Sequence, residues 1–196
     1  MKTLPVWIFF NFRSPYCYLI SKNLFSLKDD FDVKFIWRPL GGWTGRSAPE
    51  RAKKKLPLAR QDVARWCKRM GLPMNPPPIT TDPTRAAAAS FYAEAEGKLR
   101  EYIITTMDLE WAEGVDIGQD EALQEIAQRI DLDPVALLTA ADATENHEKL
   151  RACAQDAEEM NVIGVPTIVI DDQIFWGNDR LDFVREELED RGVKKS

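Results

Sequence analysis

The sequence predicts an α/β fold: one small mixed sheet, made of a β-α-β half at the start of the chain and a β-β-α half at its end, split by an inserted all-helical segment. Two observations carry this expectation. Strand-like runs rich in Val, Ile, Phe and Trp fall only near the two ends, at 4–12, 33–37 and 166–176. Between Pro49 and Pro166 the apolar residues recur at helical spacing instead.

Each element has a local reason. Leu4 to Phe12 is dense in Val, Trp, Ile and Phe, as a strand buried on both faces should be. Ser14-Pro15 supplies a helix N-cap followed by proline at the first helical position. Tyr16 to Leu27 continues at helical spacing through Leu19, Ile20 and Leu24, until Asp29-Asp30 breaks it. Val33 to Trp37 is a second strand, and a strand–helix–strand this tight defaults to a right-handed parallel unit. Arg38 to Pro49 holds three glycines and two prolines and reads as a loop. One helix then runs to Met70 and stops at Gly71. The proline-rich stretch Pro73 to Pro78 follows as an extended connector. Arg85 to Tyr102 is alanine-rich and predicts one helix, with the run 86–89 serving close packing. Asp120 to Ile130, a short helix capped by Asp133-Pro134, and Glu145 to Met160 complete the helical block. Pro166 to Ile170 is a strand, Asp171-Asp172 a turn, and Gln173 to Trp176 the returning strand of a hairpin. Arg180 to Asp190 closes the chain as a helix ahead of Gly192, before a short polar tail, Lys194-Lys195-Ser196.

Two half-motifs of this kind rejoin as a thioredoxin-like core, here residues 1–45 and 145–196, carrying residues 46–144 as a helical subdomain. A cleft between core and insertion is the expected ligand site. Composition narrows the function. At 196 residues the chain fits one domain with an insertion. Its net charge of −6 argues against a nucleic-acid footprint. No apolar stretch approaches the ~20 residues of a membrane span, and no small-residue cleavage site follows the N-terminal apolar run. Cys17, Cys67, Cys153 and the lone His147 form no CxxC, zinc spacing or disulfide framework, which fits a reducing cytoplasm. No metal site is expected, and a Ser/His/Asp hydrolase would rest on His147 alone.

The chemistry concentrates at three turns. Ser14-Pro15-Tyr16-Cys17 lies where a thioredoxin-like fold keeps its redox CxxC, but serine replaces the first cysteine, so dithiol exchange within the motif is lost. What remains is a hydroxyl among backbone N–H groups at a helix start, suited to an anion such as a thiolate brought by a ligand. The alternative is that Ser14 only caps the helix. Gly164-Val165-Pro166-Thr167 opens the third strand; a cis Val165–Pro166 bond would leave Val165 to pair with an extended peptide ligand, whereas a trans bond would be an ordinary start to a strand. Asn178 or Asp179 would cap the final helix, or hold a ligand's carboxylate and ammonium.

The strings NFRSPYCYL, KLPLARQDVARWCKRMGLP, EWAEGVDIG, GVPT and FWGNDRL occur in this order across nearly the whole chain. Together they resemble the 2-hydroxychromene-2-carboxylate isomerase family, close to the kappa-class glutathione transferases in the DsbA-like branch of the thioredoxin superfamily. The resemblance implies glutathione as cofactor, a catalytic serine at Ser14, a cis-proline at Pro166 with Val165 pairing to the glutathione backbone, and Asn178 and Asp179 at its γ-glutamyl end. It also implies reversible thiol addition to a small conjugated aromatic substrate, and a homodimer. Lys55 matches the lysine of a Lys-x-x-Tyr segment and could reach the substrate's carboxylate; Leu58 stands where the tyrosine is often found. Asn11 replaces a common aspartate, and Cys17 replaces what is often a second serine.

Alternative functions are a kappa-class-like glutathione transferase or peroxidase, or, in a different class, a DsbA-like thiol oxidoreductase or peptide-binding module in which only Cys17 could do redox work. Cys17 reads more simply as a small buried helix residue, as do Cys67 and Cys153. His147 lies in a polar stretch and reads as solvated. Lys53, Lys54 and Lys55 read as a charged helix face, with Arg46 and Arg51 as weaker anion-binding candidates. Trp37, Trp43, Trp66, Trp111 and Trp176 are expected in the core or the cleft wall.

Overall fold

The two ends of the chain meet along the first strand. The computed structural model describes residues 3–42 and 49–195, with backbone alone for 49–54; the candidates Trp43 and Arg46 and the side chains of Arg51, Lys53 and Lys54 lie outside that description. Strand β1 (Leu4–Phe10) pairs in parallel with β2 (Val33–Pro39), from Leu4 opposite Val33 to Phe10 opposite Pro39. On its other side β1 pairs antiparallel with β3 (Thr167–Ile170), and β3 with β4 (Gln173–Trp176). The described sheet therefore runs β2-β1-β3-β4. This is the DsbA-like thioredoxin arrangement, a mixed α/β sheet flanked by helices.

The helices between and around these strands are α1 (Pro15–Ser21), α2 (Ser26–Asp30), α3 (Pro49–Met70), α4 (Thr84–Ala95), α5 (Leu99–Trp111), α6 (Asp120–Arg129), α7 (Pro134–Asp142), α8 (Thr144–Glu159) and α9 (Leu181–Asp190). Side chains of β1 alternate between two cores, as the two-residue strand period requires. Val6, Ile8 and Phe10 join Phe12, Ala86 to Ala89, Tyr102, Ile103 and Met107 on one face. Phe9, with Trp7 beside it, packs with Leu40, Cys153, Ala157 and Val169 beneath α8 on the other. The alanine run at 86–89 is fully buried, as close helix packing demands. Phe12 meets Tyr102 edge to face at 5.9 Å, and the Tyr102 hydroxyl donates to the Ala86 carbonyl at 2.8 Å. That ties the inserted helices directly to the end of β1.

Five expectations need correction. The helix after Ser14 ends at Ser21, and consecutive turns bury Leu24 and Phe25 before α2 begins. The Asn23 carbonyl, taking bonds from both the Ser26 N–H and its hydroxyl, holds that break. Strand β2 runs on to Pro39, which an edge strand tolerates. The predicted helix 85–102 is two helices, because Gly97 takes a left-handed φ of 71° and the Lys98 N–H turns back to the Ala93 carbonyl at 2.8 Å. The C-terminal lysines are not a free tail: Lys194 bridges Phe31, and the Lys195 N–H donates to the Asp30 carbonyl at 2.9 Å. His147 is also more engaged than a solvated residue, with its Nε2 2.9 Å from the Ala141 carbonyl.

Candidate active site

Ser14 is held by the turn that leaves β1. The Asn11 side-chain oxygen accepts from the Arg13 N–H at 2.8 Å, and the Asn11 carbonyl accepts from the Ser14 N–H at 3.0 Å. This side-chain-closed turn is what asparagine favours. Ser14 then has the extended backbone of an N-cap (φ −93°, ψ 119°), with Pro15 at the first helical position. Its Oγ accepts from the Cys17 N–H at 3.4 Å and donates to the Val165 carbonyl at 3.4 Å. Both bonds are long for their type, so the hydroxyl is loosely held and can turn toward a ligand.

Residues 151 positions apart in sequence thus come together at Ser14 and Val165. The Val165–Pro166 bond is cis. The Thr167 hydroxyl braces this loop by donating to the Gly164 carbonyl at 2.7 Å, and the Gly177 N–H donates to the Pro166 carbonyl at 3.0 Å. That second bond fixes the 178–180 turn beside α1.

Here the capping expectation fails. Asn178 to Arg180 form a 3₁₀ turn, and α9 starts at Leu181 with no side-chain cap. The 3₁₀ turn satisfies the backbone itself, with the Arg180 N–H directed to the Gly177 carbonyl, so neither Asn178 nor Asp179 caps the helix. Asp179 instead packs over Gly177, where a Cβ would lie 2.6 Å from its oxygen, and pairs with exposed Arg180 at 3.2 Å.

The phenol of Tyr16 completes this rim. It donates to Asp62 of α3 at 3.0 Å, and burial, with Asp62 and Asp179 adding to it, pushes its pKa up to about 12. Lys55 stands on nearly the same face of α3 as Asp62, seven residues away, or about 10 Å along the axis. It is exposed, and no hydrogen bond or ion pair among the described residues joins it to Ser14, Val165, Asn178 or Asp179. The structure therefore brings together Ser14, Val165, Pro166, Asn178 and Asp179, while Lys55 stands on α3 with no bond to them among the described residues. Leu58, in the place of the tyrosine, is also exposed. A concavity of about 510 Å³ lies elsewhere, along the outer edge of β2, where Lys34, Trp37, Arg38, Phe91, Lys149 and Asp156 line it.

The cysteines carry little nucleophilic capacity. Cys17 is fully buried, and burial pushes its thiol up to about 12 despite the help of neighbouring hydrogen bonds. Burial likewise raises Cys153 to about 11 and raises Cys67. All three are free.

Two charged residues beside the site escaped the sequence reading. Glu110, near the end of α5, is wholly buried, and neither carboxyl oxygen has a hydrogen-bond partner. Its nearest cation is Arg13, 4.0 Å away and itself only 14% exposed. A bare carboxylate in such a place costs roughly several kcal/mol. Desolvation accordingly raises its pKa well above its ordinary value, outweighing Arg13. A signal existed: Glu110 falls on the inward stripe of α5 with Ile103, Thr106 and Met107.

The fold and site define a DsbA-like thioredoxin protein with serine in place of the leading cysteine. Residues 5–189 match the family described as DSBA-like thioredoxin domain, and the chain belongs to it. Within that family the chain is similar to 2-hydroxychromene-2-carboxylate isomerase of Sphingobium xenophagum, at 28% identity over 96% of this chain and all of that one. It is also similar to the enzyme of the same name from Pseudomonas putida, at 27% identity over 88% of each chain. A solved 2-hydroxychromene-2-carboxylate isomerase shares the fold with a TM-score of 0.82 at 23% identity, over 95% of both chains. So does the cytosolic disulfide reductase DsbM from Pseudomonas aeruginosa, solved with GSH, with a TM-score of 0.71 at 14% identity over 95% of this chain and 100% of that one. Among the described residues, no helix is long and apolar enough to cross a membrane.

Proposed function

We propose that this protein is a glutathione-dependent isomerase of the 2-hydroxychromene-2-carboxylate type, acting on a small conjugated aromatic carboxylate. The observation that carries the reading is the hydrogen bond between Ser14 and the Val165 carbonyl. It places a loosely held hydroxyl, where redox relatives have a thiol, beside backbone at the start of a strand that suits an extended peptide. Similarity to two isomerases of that name over most of the chain supports it.

The residues fit glutathione. Ser14 offers a donor to its sulfur, and Val165 offers backbone to its peptide. Asn178 and Asp179, freed from capping, offer an amide and a carboxylate to its γ-glutamyl end, with Asp179 shared between that ammonium and Arg180. Glutathione would supply a soft sulfur nucleophile that adds reversibly to a conjugated double bond, making it a rotatable single bond until elimination restores it. The protein's part is to bind and orient. Ser14 holds the sulfur in its anionic form by donating a hydrogen bond, and fixes its direction of attack. The short helix α1 adds only a modest field, and the net charge of −6 gives no long-range attraction to an anionic tripeptide. Lys55, at the far end of the exposed face of α3, would take the substrate's carboxylate. A cytoplasmic homodimer completes the proposal.

A thiol–disulfide oxidoreductase is disfavoured by the buried, high-pKa thiol of Cys17 and by the absence of a second cysteine in its motif. The test is calorimetric titration of the protein with glutathione, with Ser14→Ala alongside. Saturable binding, weakened in the variant, is expected; no detectable binding to the unaltered protein overturns the proposal.

A further inference from the structure

Residues 164–166 are gripped from the end of β4. The Gly177 N–H holds the Pro166 carbonyl at 3.0 Å, and the residue before it, Trp176, lies against Gly164. A Cβ placed on Gly164 would stand 2.8 Å from the indole Nε1, 3.1 Å from Cε2 and 3.3 Å from Cζ2. That is inside the optimum of about 3.5–4.0 Å for contacts between carbon atoms. Gly164 lacks the positive φ that usually calls for glycine, so the close approach of the ring accounts for it.

The core does not account for the tryptophan. Trp37 and Trp111 are buried, and each donates its indole N–H to a protein acceptor, the Ser90 hydroxyl and the Phe12 carbonyl. Trp176 is half-exposed, joins neither core, and its N–H has no partner among the described residues. The exposed side chain of Ile163, just before the glycine, gives the loop no anchor there. Between Gly164 and Pro166 stands Val165, whose carbonyl meets the Ser14 hydroxyl at 3.4 Å. A bond that long does not set the carbonyl's position by itself, so its neighbours must. On one side Gly164 is held by the indole and by Thr167, which lies opposite Trp176 in register. On the other, Pro166 is held by Gly177.

We propose that Trp176 is a positioning residue. Its indole and the Gly177 amide clamp the loop on either side of Val165, and so fix the Val165 backbone against the Ser14 hydroxyl. The use of the clamp rests on the reading that a glutathione peptide pairs with that backbone; the clamp itself involves no ligand. Backbone pairing tolerates little displacement, and a 1 Å shift of a positioned group costs up to about 10² in rate.

Two measurements on Trp176→Ala, Gly164→Ala and the double variant test this. Without glutathione, hydrogen exchange of the Gly177 amide, corrected for its intrinsic rate, reports how often the loop lifts. Each single variant should speed it about tenfold, within the range over which contacting residues couple. The Leu40 amide, bonded to the Phe10 carbonyl at 2.7 Å across the sheet, should keep its rate. With glutathione, calorimetric titration should find each single variant about tenfold weaker, and the double variant no weaker than either, because both substitutions break one contact. An unmoved Gly177 rate in Trp176→Ala, a Leu40 rate that rises in step with it, unmoved binding, or a double variant about a hundredfold weaker would each overturn the proposal. Should Trp176→Ala fail to fold, Trp176→Leu takes its place in the same cycle, since it too lacks the flat ring over Gly164. If the unaltered protein binds no glutathione, the functional reading fails by itself, and the exchange rates of the same three variants still decide the clamp.

Discussion

Replacing Ser14 with alanine should separate what the hydroxyl does for the fold from what it does for the reaction. Structurally, Ser14 Oγ makes two bonds, from the Cys17 N–H and to the Val165 carbonyl, both at 3.4 Å. Loss of an N-cap side chain costs about 0.5–2 kcal/mol, and bonds this long put the cost at about 0.5 kcal/mol. For a chain of this size that lowers Tm by about 1–2 °C. Loss of a single donor aimed at reacting negative charge costs about 10²–10³ in rate. Thermal unfolding followed by circular dichroism, and initial isomerisation rates at saturating glutathione, measure the two numbers. A Tm drop well beyond 4 °C would make Ser14 a structural cap. A rate within threefold of the unaltered protein would remove it from the reaction.

The buried thiols should be silent in the native protein: near pH 8 an aromatic disulfide reagent should modify all three cysteines only after unfolding in guanidinium, well above which their own pKa values lie. A single fast-reacting native thiol that disappears in Cys17→Ser would contradict this. Asp133→Ala should cost about 1 kcal/mol and about 2–4 °C in Tm, because Asp133 caps α7 through bonds to the Val135 and Ala136 N–H groups, and should leave catalysis unchanged. Glu110 predicts a pH dependence with a definite sign. Its folded pKa is raised, so its contribution is fully present below the ordinary carboxyl range and is lost as pH rises toward the folded value. The denaturant midpoint of Glu110→Gln minus that of the unaltered protein should therefore rise as pH increases; a difference that falls with pH would refute the neutral-acid assignment.

Local chemistry made much of this molecule legible from its sequence. The Ser14-Pro15 cap, the Asp171-Asp172 hairpin and the glycine stop at Gly71 are each set by two or three adjacent residues, and each stands where expected. Pairing of the two chain ends followed from strand character alone. What stayed hidden depended on competition between signals. Gly97 lay inside a strongly helical alanine-rich window, which masked its role as a stop. Asn178 and Asp179 are good capping residues, but a 3₁₀ turn used the backbone first. Arg13 and Glu110 were passed over because charged residues are normally solvated. Only the inward register of Glu110 on α5 betrays its burial, and its pairing with Arg13 is a tertiary fact that spacing cannot supply. Lys55 is suggested by resemblance alone, and it stands two helical turns before Asp62 on the same helix.

The most direct test of the central claim is the rate at which the purified protein isomerises 2-hydroxychromene-2-carboxylate, followed by absorbance with and without glutathione. A rate that appears only with glutathione, saturates with it and collapses in Ser14→Ala is the predicted result. Full activity without any added thiol, or none with saturating glutathione, would contradict it.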